Sequence, residues 1–325
     1  MKRAIKIYLE KPELAGVLLL VVLVAFFDVK SNGVFLSLQN IRGVLGLLPE
    51  VGMVTIGFAI LMIAGEFDLS VGSVFALMPM SIALMVNAGI PFWIALLLGL
   101  LIAAAVGFIN GFITLRFVIP SFITTLGMLF MARSLTVVIS GGFPPQLAVD
   151  QIPMGLFVGF IGGGLIRASF VWFLIIALVA ASALSLTNFG NWIRATGGFL
   201  EAARSMGIPV KRVKLACFMI CSVLAGFAGT IQVLRLQAPL PNLGESLELQ
   251  AIAGSVIGGV SLGGGIGTVF GAIVGALLIR VIDTGLVLSH IDANWFKFAI
   301  GALTVFAVVG NSWLRRTARR IKVEV

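Results

Sequence analysis

Side chains that could do chemistry are scarce in this chain of 325 residues, which has one histidine and two cysteines. The cysteines, Cys217 and Cys221, stand four residues apart inside an apolar run, so they would share one face of a helix. Two thiols with no nearby His, Asp or Glu make a poor metal site, and we interpret them as packing residues. The sequence shows no Ser/His/Asp set and no paired carboxylates spaced for acid–base catalysis. We therefore expect a protein that is not an enzyme and that holds no metal or cofactor of its own.

One acidic motif, GEFDLSVGS at 65–73, places a carboxylate where an apolar segment ends. A carboxylate at the centre of a membrane costs about 2.5–3.5 kcal/mol, so a deeply placed one would need a role. At a segment boundary the cost is smaller, and we interpret Asp68 as a cap of the following helix, with Ser70 and Gly72 easing its first turn. A role of Asp68 in a transport pathway is the alternative.

Uncharged polar side chains within the apolar segments are better candidates for a pathway that carries a neutral, hydroxyl-rich solute. They would exchange hydrogen bonds with such a solute without trapping it. Hydrogen bonding between helices uses the same residue types and is an equally good interpretation. The candidates are Asn110, Ser121, Thr124, Thr125 and Gln232.

Glycines spaced four residues apart form two ridges of small residues, which predict close helix packing within one subunit or across a dimer. The residues are Gly107 and Gly111 in the first ridge and Gly267, Gly271 and Gly275 in the second. The nearby GGGIGT sequence is not a phosphate-binding loop, because no lysine follows it. We therefore expect this chain to bind no nucleotide itself.

Composition identifies the environment of these residues. The chain is 60% hydrophobic and 11% charged, with a mean hydropathy of +1.16. A soluble domain needs more charge, so we expect an all-α, polytopic membrane protein with about ten transmembrane helices. The third and eighth segments are weak, and either could be broken or re-entrant. The segments lie near 8–27, 44–64, 69–87, 91–115, 118–139, 168–187, 213–234, 247–261, 266–288 and 295–312.

Basic residues predict the orientation of the chain. If the N-terminus is cytoplasmic, 15 of the 22 basic residues fall inside, 5 fall outside and 2, Arg280 and Lys297, lie within spans. This asymmetry places both termini in the cytoplasm, residues 140–167 in the periplasm and residues 187–214 in a cytoplasmic loop of one permease domain, 1–325. The net charge of +9 then reflects contact with anionic lipid and not with nucleic acid.

The cytoplasmic loop contains EAARSMGIP, which predicts a helix of about two turns around Leu200–Met206 that ends before Gly207 and Pro209. Small residues would let such a helix seat in a cleft of a partner, while charged residues flank it. An ordinary solvated loop helix is the alternative. The candidate coupling residues are Glu201, Ala202, Ala203, Arg204, Gly207 and Pro209.

Together with GFINGF (107–112), IPSFITTLGM (119–128) and the glycine-rich segment 251–278, these motifs resemble the simple-sugar branch of the branched-chain amino acid/ribose permease superfamily. The resemblance runs from Leu45 to Asn311, and Glu66 departs from the glycine that relatives more often have. It implies a multi-pass inner-membrane subunit of a bacterial ABC importer for a sugar or sugar-like solute. Its implied partners are a cytoplasmic ATPase that binds ATP and Mg and docks on 198–212, a second permease copy or paralogue, and a periplasmic binding protein.

Two rival functions differ in what they require of the chain. An ion-coupled secondary transporter of a small polar solute needs buried carboxylates or a charged relay, for which Glu50 and the pair Arg280 and Asp283 are candidates. That pair, three residues apart, is expected to neutralise itself. A membrane scaffold or channel has no use for the EAARSMGI loop. The identity of the sugar, whether pentose, hexose, polyol or furanose, stays open.

Overall fold

The computed structural model describes residues 13–320 except 163, 165 and 293, and it is almost entirely helical. Both chain termini, and residues 8–12 of the first predicted span, lie outside the described residues. The helices are α1 (Glu13–Lys30), α2 (Leu38–Ile63), α3 (Val71–Asn87), α4 (Phe92–Phe117), α5 (Ser121–Ile139), α6 (Met154–Val158), α7 (Ala168–Leu186), α8 (Asn188–Gly198), α9 (Leu200–Ser205), α10 (Val210–Leu236), α11 (Leu247–Ile257), α12 (Val269–Leu288) and α13 (Trp295–Arg320). A 3-10 turn (Val149–Gln151) precedes α6, and two short strands, β1 (Phe160–Ile161) and β2 (Ile166–Arg167), pair antiparallel after it.

A helix occupies each of the ten predicted apolar segments, and six of these helices are long and apolar enough to cross a membrane: α2, α4, α5, α7, α10 and α12. The other four leave the ten-span count a prediction. The 18 residues of α1 include three charged ones, α3 has 17 residues, and α13 is apolar only over its first part. With 11 residues, α11 is about 16 Å long against a hydrocarbon core of about 30 Å.

Helix α10 is the centre of the packing and lies against α2, α3 and α4. Small residues on α10 permit this closeness: a side chain at Gly229 would overlap the Phe75 carbonyl of α3. The outer faces of α4, α5 and α7 expose large apolar side chains such as Leu101, Phe130 and Leu178. A continuous apolar surface of this kind is suited to lipid.

The predicted glycine ridges lie at contacts within one copy of the chain. A methyl group at Gly107 would come within 2.6 Å of the Phe218 carbonyl of α10. Gly271 and Gly275 meet the backbone of α11 and of the residue that follows it. The prediction that Gly267 continues the second ridge is wrong in detail, because α12 begins two residues later and Gly267 packs on a side chain of α2 instead.

Two non-helical segments separate consecutive helices: residues 64–70 lie between α2 and α3, and residues 258–268 lie between α11 and α12. We call these segments the two interruptions. The two interruptions meet, since the Gly265 N–H donates to the Ile63 carbonyl at 2.8 Å. The end of α8 packs on both: a side chain at Gly197 would overlap the Ile63 carbonyl, and Gly198 lies against Gly265. The loop that contains α8 is thus in backbone contact with both interruptions.

Candidate functional site

Asp68 lies in the first interruption, at the centre of a group of buried polar side chains. Its carboxylate accepts hydrogen bonds from the Ser70 N–H (2.8 Å) and hydroxyl (2.5 Å), from Asn110 Nδ2 (3.3 Å to each oxygen) and from Ser222 Oγ (3.3 Å). All four residues are fully buried, and we call them the Asp68 cluster. Among the described residues Asp68 forms no ion pair. Hydrogen bonds from these donors therefore offset the free-energy cost of burying the carboxyl group.

Two more of the candidate pathway residues hold the backbone of the same interruption. Ser121 Oγ accepts from the Phe67 N–H at 3.1 Å, and Thr125 Oγ1 accepts from the Leu69 N–H at 3.0 Å. Thr125 also donates to the Ser121 carbonyl at 2.7 Å. An irregular segment inside a membrane protein cannot satisfy its own backbone groups, so these hydroxyls replace the missing helical bonds.

The prediction that Asp68 caps the helix after the acidic motif is wrong, because Asp68 lies two residues before the N-cap position. Ser70 occupies the N-cap position of α3 but makes no side-chain capping bond. Asp68 instead accepts from the Ser70 N–H and so orders the turn before the helix. Gly72, in the first turn of α3, allows close approach of the Gly244 carbonyl. Its own carbonyl accepts from Arg133 at 2.9 Å.

The burial of the candidate pathway residues favours the helix-tying interpretation for most of them. Asn110 and Thr125 are fully buried, Ser121 is 6% exposed, and all three bond to other parts of the protein. Thr124 Oγ1 is buried without a hydrogen-bond partner among the described residues. Only Gln232 lines the polar cavity described below.

An ion pair joins the acidic motif to α10. Lys214 Nζ lies 2.6 Å from Glu66 Oε1, with the two side chains 10% and 13% exposed. Lys214 was predicted at the end of the cytoplasmic loop, but α10 begins at Val210, so Lys214 lies within the helix. Glu66 is therefore bonded to a lysine 148 positions later in the chain.

A polar cavity of about 200 Å³ lies between α10, α11 and α12, near the end of α10 that the predicted orientation places outside. Its polar and charged lining residues are Glu50, Gln232, Glu245, Gln250, Arg280 and Asp283. The remaining lining residues are Val51, Phe75, Gly244, Leu247 and Phe296. We call this space the outer cavity.

Two ion pairs are built into the wall of the outer cavity. Arg235 binds the Glu50 carboxylate through two nitrogens, at 2.6 and 3.1 Å, and the Glu50 side chain is 2% exposed. Arg280 and Asp283 lie 3.1 Å apart, which confirms the prediction that they pair. Both candidate groups for a charged relay are therefore neutralised by a partner of opposite sign.

The predicted loop helix is confirmed as α9, and it carries an unusual surface. Phe199 and Met206 are 79% and 82% exposed, and Ala202 between them is also exposed. Glu201 and Arg204 pair at 2.7 Å beside them while both stay exposed to solvent. We call these five residues the α9 surface. Ala203, by contrast, is buried and anchors the helix to the rest of the protein.

Helix α9 ends in a turn that requires glycine. The Gly207 N–H donates to the Arg204 carbonyl at 3.0 Å and the Ile208 N–H donates to the Ala203 carbonyl at 3.1 Å. This is a Schellman motif, whose left-handed position is Gly207 with φ +77°. No atom lies within 4 Å of a side chain built at Gly207, so the space beside it is open. Pro209 precedes the first residue of α10.

Comparison with known proteins identifies the architecture that carries these features. Residues 40–308 match the family model described as the permease component of branched-chain amino acid transport systems. The chain belongs to this family.

Relatives within the family are import permeases. The autoinducer 2 import system permease protein LsrC of Photorhabdus luminescens is 32% identical over 293 residues, which cover 88% of this chain and 86% of that protein. LsrC of Salmonella typhimurium is 32% identical over 312 residues, 94% and 87% of the two chains. The xylose/arabinose import permease protein XylH of Sulfolobus acidocaldarius is 31% identical over 311 residues, 93% and 85%. No solved structure matches this permease.

Sequence reasoning about this permease missed several residues of these sites. Ser222 is a single polar residue between apolar neighbours, and Gln250 follows Glu248 in a short helix; nothing near them in the sequence points to Asp68 or to the outer cavity. Phe199 and Met206 carry a detectable signal, because large apolar residues at both ends of a short helix in a polar loop are conspicuous.

Proposed function

We propose that this permease is the membrane-spanning subunit of an ATP-driven ABC importer, which carries a sugar or sugar-like solute delivered by a periplasmic binding protein. Relatives named as import permeases for autoinducer 2 and for xylose/arabinose support this solute class. ATP and Mg bind to a separate cytoplasmic ATPase. The permease works with a second copy or a paralogue in the inner membrane, with both termini in the cytoplasm.

The α9 surface is the observation that carries the coupling part of the proposal. Two large apolar side chains, Phe199 and Met206, are almost fully exposed on a helix that lies outside the apolar core. A short helix of this kind, with small Ala202 between the apolar residues, is suited to a cleft in a partner protein. We assign that cleft to the ATPase.

The packing of α8 provides a route from the α9 surface to the transmembrane helices. Gly197 and Gly198, at the end of α8, touch the backbone of Ile63 and Gly265 without intervening side chains. Glycine contacts of this closeness transmit a displacement directly, because there is no flexible side chain to absorb it. Movement of α9 by the ATPase would therefore act first on the two interruptions of the helices.

Gly207→Trp tests the docking assignment, with Gly89→Trp as its matched control. Both glycines have positive φ and open space around them, +77° and +87°, so the backbone strain is the same. Only Gly207 adjoins the α9 surface. We expect ATP-driven uptake to fall about tenfold or more in Gly207→Trp, as expected for a lost docking contact of ~1.4 kcal/mol, and to stay near wild type in Gly89→Trp.

The measurement is solute uptake into vesicles that contain the permease, its ATPase and its binding protein, with membrane abundance measured in parallel. Equal uptake in the two tryptophan variants would remove the α9 surface from the coupling mechanism. Glu201→Lys should give a smaller loss, because it reverses one exposed contact charge.

The same vesicles separate the importer from an ion-coupled transporter. An importer loses uptake when ATP hydrolysis is blocked with vanadate and keeps it when a protonophore and a sodium ionophore collapse the ion gradients. The reverse result would establish the ion-coupled alternative. Both charged pairs of the outer cavity are neutralised, which supports the importer.

A further inference from the structure

The outer cavity is unusual for its position, because polar groups in a membrane protein are expensive unless they are paired or have a function. Most of its polar lining residues come from α10, α11 and α12, which lie together in one copy of the chain. Gln232 lies four residues before the end of α10, about 6 Å along the helix axis. The cavity thus lies near the surface that the proposed orientation turns toward the periplasm.

Some polar side chains of the outer cavity are bonded to another side chain of the protein, and others have no such partner. The charged side chains of Glu50 and Arg280 are bound to Arg235 and Asp283. The side-chain amides of Gln232 and Gln250 form no hydrogen bond within the described part of the chain and are partly exposed. Arg280 Nε is a further donor without a partner among these residues.

The free groups define the ligand they would suit. An amide both donates and accepts, which matches a hydroxyl group that also does both. A solute with a negative charge would meet the carboxylate of Glu245, which lies in the same wall and forms no ion pair among the described residues. Phe296, also in the wall, supplies an apolar surface for the carbon face of a ring.

We propose that the outer cavity is a solute-binding site contained within a single permease copy, which takes an uncharged polyhydroxylated solute through Gln232 and Gln250. The site receives the solute on the periplasmic side before it passes deeper. This inference rests on the proposed function, to which it adds the place and the charge selectivity of binding.

Two other cavities lack the features of such a site. One is lined by Ile60, Ile175, Val179 and other apolar residues and offers almost no polar atom. The other, between α11 and α13, adjoins the outer cavity and shares Gln250 with it, but most of its exposed surface is apolar and comes from residues such as Leu249 and Ile300. Apolar walls cannot replace the water that a hydroxylated solute loses on entry.

Protection of an introduced cysteine tests binding directly, without a contribution from the binding protein. The Gln250→Cys permease, assembled with its ATPase in nanodiscs, is treated with a small hydrophilic thiol reagent. The native Cys217 and Cys221 are fully buried and should stay unlabelled. The probes are D-ribose, D-xylose, D-galactose and myo-inositol, and D-xylonate serves as a charged counterpart of D-xylose.

Because Gln250→Cys removes one of the two amides, the neutral solute is supplied well above the concentration that saturates wild-type uptake. Binding through the remaining Gln232 should then slow labelling about tenfold, and D-xylonate should leave it unchanged. Gln146→Cys, on the same side but in the exposed loop before α6, should be labelled equally with and without solute. Gln232→Leu, introduced into the Gln250→Cys permease, should abolish the protection.

The outcomes separate the inference from the proposed function. If the wild-type importer carries a probe that does not protect Gln250→Cys, and Gln232→Leu imports it at the wild-type rate, the site is wrong and the importer stands. If the importer carries none of the neutral probes and D-xylonate protects instead, both are overturned. Protection by the transported neutral probe alone supports the site even where Gln232→Leu lowers membrane abundance.

Discussion

The Asp68 cluster and the outer cavity both place polar side chains along α10, yet they use them differently. Ser222 and Gln232 are ten residues apart, about 15 Å along the helix. In the cluster, all four side chains bond to one another or to the backbone of the interruption, and among the described residues only Asn110 Oδ1 has no partner. In the outer cavity, Glu50 and Arg280 are in ion pairs, while Glu245 forms no ion pair among the described residues and the amides of Gln232 and Gln250 stay free. A polar residue in a membrane segment therefore indicates a pathway only where its unused hydrogen-bonding capacity also faces a cavity.

The Asp68 cluster differs from the outer cavity in a second respect: it is bonded to the backbone of the interruption at 64–70. Backbone N–H groups of Phe67, Leu69 and Ser70 have no helical acceptor and bond to Ser121, Thr125 and Asp68 instead. The polar groups of the cluster thus stabilise a shape that an apolar sequence could not hold in a membrane. Variants of the cluster should affect stability first and transport second.

Among these variants, Asp68→Leu should cause the largest loss in the free energy of unfolding. It leaves the Ser70 N–H, the Ser70 hydroxyl and the Ser222 hydroxyl buried without their acceptor, whereas the Asn110 amide keeps Ser70 Oγ. At roughly 1–3 kcal/mol for each orphaned group, we expect a loss of at least about 3 kcal/mol in the free energy of unfolding. Reversible unfolding of the purified permease in SDS measures this loss.

Asp68→Asn is the matched control, because it keeps the shape and one carbonyl acceptor and should lose less. A stable Asp68→Leu permease that no longer transports would contradict the structural role. Asp68 would then be a pathway group, and the cluster would resemble the cavity.

Several parts of the fold follow from local patterns, and the contacts between distant segments do not. The ten apolar segments and the ending of α9 at Gly207 are set by local hydropathy and turn chemistry. The partner of Glu66 lies 148 residues away and the partner of Glu50 lies 185 away. No rule of spacing predicts such pairs, because they depend on which helices meet.

The contacts of the interruption at 64–70 could not be predicted from local sequence patterns either. The motif predicted that Asp68 caps the following helix, and hydropathy placed Thr125 in the first part of the span near 118–139. That Thr125 bonds to Leu69 depends on the contact of α5 with the segment before α3. Without that contact, tying helices together and lining a pathway were equally good interpretations of Thr125.

The comparison of Thr125→Val with Thr136→Val should give the next largest difference in the free energy of unfolding. Both threonines are fully buried in α5, and each donates to the carbonyl four residues earlier, at 2.7 and 2.8 Å. Only Thr125 also accepts from a backbone N–H, that of Leu69. We expect Thr125→Val to lose about 1–2 kcal/mol more in the free energy of unfolding than Thr136→Val, with transport per folded molecule preserved. Equal stability with transport lost only in Thr125→Val would return Thr125 to the pathway.

The comparison of Ser222→Ala with Ser255→Ala should give the smallest change in the free energy of unfolding. Both serines are fully buried in helices, on α10 and α11. Ser222 donates a long bond of 3.3 Å to Asp68, which keeps its other donors, whereas Ser255 Oγ has no partner among the described residues. Removing a buried hydroxyl without a partner removes a desolvation penalty, so Ser255→Ala should be neutral or stabilising. Ser222→Ala should destabilise by about 0.5–1.5 kcal/mol, since the Asp68 carboxylate loses one of its donors. The same SDS titration measures both variants, and a Ser222→Ala permease as stable as Ser255→Ala would mean that the α10 side of the cluster contributes nothing to holding Asp68.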